Sequence, residues 1–282
     1  ELLQQPHIPR ATYRMQFSPQ FTFEDALALV DYLKDLGISD LYTSPLFKPR
    51  SGSTHGYDTV DYNEFNPVLG TEEDFDTLVD ALHQHDMGLL LDIVPNHMGV
   101  NTENVWWMDV LKHGPSSKYA HYFDIEWRPQ NRALDNKVLL PVLGDHYGRV
   151  LEAGELEVVY WHGDFYLHYY EHQFPLTPET YGAMLRKAQT YLQDAGDHED
   201  WEVMELASVI HSLDYLPSFA LTDPELLTVR RREQTIIRWR LLGLFDKSEP
   251  FRTALQAALD EFNGDKADPS TFDGLDDLLS RQ

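Results

Sequence analysis

Short apolar runs alternate with amphipathic segments of helical period through the first hundred residues, and this alternation restricts the fold more than any other feature of the 282-residue chain. Ala11-Thr-Tyr-Arg-Met-Gln-Phe17 is aromatic-rich and partly alternating, which predicts a strand. Thr22, with Asp25 three residues on, forms a variant capping box and opens a helix. Ala26, Leu29, Val30 and Leu33 make its expected buried stripe, and Gly37 its stop. Ile38–Tyr42 predicts a second strand, followed by a polar, glycine-bearing loop from Ser44 to Asn66. Thr71 with Asp74 opens the next helix; Phe75, Leu78, Val79 and Leu82 share one face, and Gly88 is the expected end. Leu89–Val94 is a near-continuous apolar run, as suits a strand buried on both faces. Strand, helix, strand, helix, strand at this spacing implies right-handed βαβ units and a parallel sheet, hence an α/β fold.

From about Gly99 the rhythm breaks. Residues 100–175 are rich in aromatic side chains, turns and short β-like runs such as Lys137–Leu143, which reads as a large insertion after the third strand. From Thr177 the pattern is mostly helical, with Asp223 as a cap before a first-turn Pro224. The expected organisation is therefore three β/α units over 1–98, an inserted subdomain over 99–176, and a helical return segment over 177–282.

Charge narrows the partners. With 22 basic and 47 acidic residues the formal charge is −25, a surface that repels phosphate backbones and anionic lipid, so neither nucleic acid nor membrane is an expected partner. A neutral ligand such as a sugar is indifferent to that field. No apolar run approaches the roughly 20 residues that span a bilayer. No signal-peptide pattern opens the sequence, so a cytoplasmic location is expected. Cysteine is absent, which excludes disulfides, thiolate metal sites and a cysteine nucleophile.

In a parallel barrel, chemistry sits at the C-terminal ends of strands and in the loops that follow. Gln16, the Ser53-Thr-His-Gly-Tyr-Asp58 loop and Asp92-Ile-Val-Pro-Asn-His97 meet that description. Asp92, within an apolar strand, is costly to bury unless paired. His97 falls just past that strand, either as a functional group or as a hydrogen-bonded structural one. Tyr57 beside Asp58 pairs an aromatic ring with a carboxylate, a suitable way to hold a sugar's apolar C–H face and its hydroxyl rim. The His83/His85 and His168/His172 spacings could suit a metal, but thirteen histidines make such pairs frequent by chance, and solvated surface is the simpler reading.

Together these segments resemble glycoside hydrolase family 13, the α-amylase family. Asp92–His97 is similar to its signature at the end of strand three, Leu36–Pro45 to its second-strand motif, and His55–Asp58 to the aromatic loop beside it. The resemblance implies a (β/α)8 TIM barrel, of which this chain carries the first part with the insertion after strand three. It further implies that Tyr57 stacks on the sugar ring at the reacting bond, by its face rather than its hydroxyl. His97 would then hydrogen-bond the sugar's hydroxymethyl group and Asp58 another hydroxyl. His55 and Gln16 complete the implied substrate-binding set, while Asp92 and Asn96 shape the site. Many amylases hold calcium near the residue matching Asn96, but that takes about six to eight oxygen ligands, several from the insertion. The insertion departs from the amylase pattern, so no metal and no cofactor is expected.

Six further stretches resemble one trehalose-forming branch of the family: Ala11–Phe17, Lys48–Tyr57, Asn66–Gly70, Asp109–Pro115, Lys137–Gly144 and His172–Pro178. That branch turns the terminal α-1,4 linkage of a maltooligosaccharide into an α,α-1,1 linkage. Its implied mechanism is retaining, through a glycosyl-enzyme, with water excluded. A trehalose-releasing hydrolase is the implied functional partner. Trp106, Trp107, Tyr119, Tyr122, Phe123 and Trp127 could cover such a site, or could simply be the insertion's own small core.

The family's nucleophile lies in a strand-four Arg-x-Asp pattern. None of the fourteen arginines here has Asp two residues later, and no counterpart of the acid/base Glu is found. The nucleophile and acid/base are therefore expected beyond residue 282, and the segment alone is expected to be inactive. An ordinary α-glucan hydrolase or glucanotransferase, or a non-catalytic glucan-binding fragment, are the competing readings.

Overall fold

The computed structural model describes residues 7–196, 199–221 and 223–281. The chain forms two compact units, Glu1–Val105 and Trp106–Gln282.

In the first unit, β1 (Thr12–Met15) is followed by α1 (Phe23–Leu27), α2 (Val30–Asp35) and β2 (Asp40–Thr43). After β3 (Phe47–Pro49) and β4 (Thr59–Phe65) come α3 (Glu72–Gln84) and β5 (Gly88–Leu90). The sheet order is β1-β2-β5, all parallel, as the alternation predicts. Both capping boxes form: the backbone N–H of Thr22 donates to Asp25 Oδ2 at 2.8 Å, and that of Thr71 to Asp74 Oδ2 at 2.8 Å.

Four local expectations are corrected. The first helix is two short helices, because Leu29 departs from helical geometry (φ −102°, ψ −1°). Leu29 thereby leaves the stripe and is exposed, while Ala26, Val30 and Leu33 stay buried. Helix α3 ends through a left-handed Asp86 (φ 56°), not through Gly88. Gly88 opens β5, where a Cβ would overlap Asp40 Oδ1, so glycine is there for space. The 44–66 loop holds the antiparallel hairpin β3–β4, whose Phe47 stacks on Phe65 at 6.0 Å. Polar Asp61, Asn63 and Glu64 in β4 hide this strand from a reading based on hydrophobicity. Finally, β5 stops at Leu90, and Leu91 and Ile93 are exposed. The β5 residues Gly88–Leu90 are each only half-buried, so the run is not fully buried, and among the described residues β5 pairs along one edge only, with β2.

The core of this unit lies between sheet and helices. Phe23, fully buried, meets the rings of Phe17, Phe65 and Phe75, and Leu33, Leu41, Leu78 and Leu82 close around them. Truncating one of these leucines to alanine costs about 2–5 kcal/mol through lost transfer energy and the cavity left behind. A firm core beneath the sheet holds the strand ends in register.

The second unit starts with α4 (Val105–His113) and α5 (Tyr147–Glu152), then the antiparallel meander β6 (Leu156–Trp161), β7 (Asp164–Tyr169), β8 (His172–Pro175). Helices α6 (Pro178–Ala195), α7 (Asp200–Asp214), α8 (Pro224–Lys247), α9 (Glu249–Asn263) and α10 (Asp273–Ser280) complete it. Asp223 caps α8 as expected, accepting from the backbone N–H groups of Glu225 and Leu226. One cluster unites meander and helices, with Val158, Phe165, Leu185, Leu206, Leu241 and Leu255 buried. The Lys137–Leu143 run forms no strand, a further correction: Pro141 has no N–H for a ladder, and Leu139 is exposed. The aromatic rings pack on one another, Trp106 on Tyr119 at 5.7 Å and Trp107 against Phe123 at 5.2 Å. Among the described residues no helix is long and apolar enough to cross a membrane.

Candidate functional site

Strand pleat and register build the site. Residues two apart share a face, so Arg14 and Gln16 look the same way from β1. Arg14 lies opposite Tyr42 on β2, and Tyr42 opposite Leu90 on β5. Asp92, two residues past Leu90, continues that row beyond the strand's end.

Asp92 meets the expectation that a carboxylate here is paired. Its Oδ2 accepts from Tyr57 Oη at 2.7 Å and from Tyr42 Oη at 3.3 Å, with Arg14 Nη2 at 3.9 Å. Arg14 Nη2 also donates to Tyr57 Oη at 3.1 Å and Nη1 to Gln16 Oε1 at 3.2 Å. Its guanidinium lies 5.5 Å over the Tyr42 ring. The bond to Asp92 holds the Tyr57 phenol above its ordinary pKa, with partial burial adding to this and Arg14 opposing it. Arg14 is raised in turn, chiefly by its bond to Tyr57. Tyr57 therefore stays a neutral phenol at physiological pH, unsuited to act as a base.

The loop that carries Tyr57 is braced from within. Gly56 has φ 80°, and a Cβ there would lie 3.2 Å from the Pro45 carbonyl oxygen, so this turn requires glycine. His55 Nδ1 accepts from the Tyr57 backbone N–H at 3.0 Å. Asp58 accepts from Arg50 Nε at 2.7 Å and from Ser53 Oγ. Burial, the largest single influence on its carboxyl, pushes the pKa up. The bonds from Ser53 and Arg50 together outweigh it and hold the group below the usual carboxylate range.

The post-strand segment is clamped by Tyr62 of β4, whose hydroxyl donates to the carbonyls of Val94 and, at 3.4 Å, His97. His97 is exposed, with Asn96 Nδ2 at 3.4 Å from its Nδ1. The structure thus brings Gln16, Tyr57 and Asp92 together through Arg14. It turns Asp58 towards Arg50 and Ser53. Among the described residues no hydrogen bond joins the His97 ring to Tyr57, Asp58 or Asp92. Nor does any group of three or more His, Asp or Glu side chains among them have the arrangement to hold a metal ion.

Sequence reasoning missed Arg14, Tyr42, Arg50 and Tyr62, and included Ser53 in the candidate loop without giving it a role. Arg14 carried a usable signal, being two residues before Gln16 and so on its face of β1. Tyr42 acts through strand register, and Tyr62 through a reach from β4 to the segment after β5; no local pattern encodes either.

The strand ends and the loops beside them thus carry an aromatic ring, two hydrogen-bonded carboxylates and a histidine after β5. The family profile described as "Alpha amylase, catalytic domain" matches residues 27–181, more than half of the chain. The chain belongs to the α-amylase family, and its fold is the α-amylase type of (β/α) barrel. A Mycobacterium tuberculosis protein named as a maltooligosyl trehalose synthase is 46% identical over 141 residues, 48% of this chain and 18% of that protein. The structure of maltooligosyltrehalose synthase from Arthrobacter ramosus superposes with a TM-score of 0.53 at 45% identity, covering 61% of this chain and 22% of that one. An intracellular maltogenic amylase of Bacillus subtilis is 39% identical over 120 residues, 43% of this chain and 18% of that protein. The chain thus spans about a fifth of the length of the relatives it matches.

Proposed function

We propose that the full-length protein converts the reducing-end α-1,4 linkage of a maltooligosaccharide into an α,α-1,1 linkage, forming a terminal trehalose unit. The observation that carries this reading is the Tyr57–Asp92 pair at the mouth of a parallel sheet, in a chain of which 141 residues are 46% identical to a protein named for that activity. Tyr57 presents a ring face to the sugar, while His97 and Asp58 meet its hydroxyls. His55 and Gln16 complete the contacts, and Asp92 and Asn96 shape them.

In this reading, residues 1–98 supply three β/α units of a larger barrel, 99–176 the insertion after the third strand, and 177–282 a helical return. The nucleophile and acid/base, which retaining chemistry sets about 5 Å apart, come from outside these 282 residues, so the segment alone turns over no maltooligosaccharide. Closure of the site excludes water, which would otherwise intercept the glycosyl-enzyme and give hydrolysis. The protein acts in the cytoplasm beside a trehalose-releasing hydrolase. It needs no metal, and full activity after exhaustive chelation is expected.

Incubating full-length protein with maltopentaose, and following reducing ends and chain length together, tests the proposal. Reducing ends disappear without chain shortening if it is right. New reducing ends would favour a maltose-forming or other hydrolase, the reading that the 39% identity to a maltogenic amylase would then support.

A further inference from the structure

We infer that Arg14 is a positioning residue for the sugar-stacking ring, an inference that rests on the glucan-binding role proposed above for Tyr57. A guanidinium only donates, so Tyr57 Oη must accept from Arg14 at 3.1 Å, and its single proton must go to Asp92 Oδ2 at 2.7 Å. Arg14 thereby fixes which way the phenolic proton points. A phenol held at both its acceptor and donor sides cannot swing its ring out of the cleft without breaking two charge-assisted bonds.

The same guanidinium reaches three more groups. It donates to Gln16 Oε1 at 3.2 Å, lies 3.9 Å from Asp92 Oδ2 and rests over the Tyr42 ring. Among the described residues Arg14 is the one side chain hydrogen-bonded to both Gln16 and Tyr57, linking the end of β1 to the 53–58 loop. Its fork is needed because the two acceptors are served by two different nitrogens. Its side chain is 40% exposed, so its role is not that of a core residue.

A double-mutant cycle in the full-length protein tests this, reading kcat and KM for total maltopentaose consumption whatever the product. Arg14→Met lowers kcat/KM about tenfold through a mispositioned ring. In a Tyr57→Phe background the same change costs less than about threefold more, because the bond that transmits it is already gone. Arg14→Lys, which keeps the charge but not the fork, retains part of the activity and also serves if Arg14→Met fails to fold. Its loss, too, shrinks in the Tyr57→Phe background. Independent effects that multiply to within about twofold would overturn the inference, as would an Arg14→Met enzyme with unchanged kcat/KM. A lowered melting temperature with unchanged kinetics would also overturn it. Because consumption is read regardless of product, the identity of the wild-type product tests the proposed function separately.

Discussion

Tyr57 Oη donates to Asp92 Oδ2 at 2.7 Å, joining the aromatic loop to the end of β5 across 35 residues of sequence. The hydroxyl is thus held by a partner, while the ring face remains the part proposed to meet the sugar. Tyr57→Phe should lower kcat/KM roughly three- to tenfold by releasing Asp92 and Arg14. Tyr57→Ala should cost on the order of a hundredfold, since the stacking surface goes as well. Steady-state kinetics on maltopentaose check both. Equal losses would mean that the hydroxyl carries the whole effect.

His97→Ala should cost activity, not stability. The ring is exposed, with the Asn96 amide 3.4 Å from its Nδ1, so little folding energy depends on it. Losing one hydrogen bond to a sugar hydroxyl in the transition state lowers kcat/KM roughly ten- to a hundredfold. Kinetics and thermal melts of one preparation decide. A lowered melting temperature with unchanged kinetics would make His97 structural.

Asp58 should mark the acid limit of the loop. Its carboxyl is held below the usual range, so the folded state binds this proton more weakly than the unfolded chain. The stability it contributes is present above about pH 3.9, the unfolded value, and is lost as pH falls through the lower folded one. Asp58→Asn should flatten that acid-side loss in melts taken from pH 6 down to about pH 3. Parallel curves for the two proteins would show that Ser53 and Arg50 do not tune the group.

His113, in the second unit, should act over a higher window. Burial, helped by Lys112, Arg230 and Arg231, pushes it down to about 3. The unfolded chain takes up this proton below about pH 6.5 and the folded protein does not. Stability from this group is therefore complete above that value and declines as pH falls towards about 3. The Gln234 amide lies 3.3 Å from its Nδ1, so His113→Gln keeps a polar side chain beside it. That variant should show a shallower decline in denaturant midpoints between pH 6.5 and 4, to about the extent of one proton. An unchanged slope would contradict the neutral, buried imidazole.

The features legible in the sequence were those written locally. The Thr22–Asp25 and Thr71–Asp74 boxes, the stripe of Leu78 and Leu82, and the three parallel strands all follow from residues within one turn or one pleat. What escaped depends on distant partners. Thr59–Phe65 is a strand through its pairing with Phe47–Pro49 across the hairpin, not through an apolar run. Leu91 and Ile93 look like buried strand because hydrophobicity reports what a residue could bury, not whether a neighbour is present. Arg14 reads as a surface charge until strand register sets it beside Tyr57 and Asp92.

The proposed reaction joins two anomeric carbons within one substrate molecule. The most direct measurement takes the product of full-length protein and maltopentaose, treats it with borohydride and determines its mass and anomeric linkages by NMR. The expected product has the substrate's own mass, is inert to reduction and carries one α,α-1,1 linkage in place of one α-1,4 linkage. Shorter chains that borohydride reduces would contradict it.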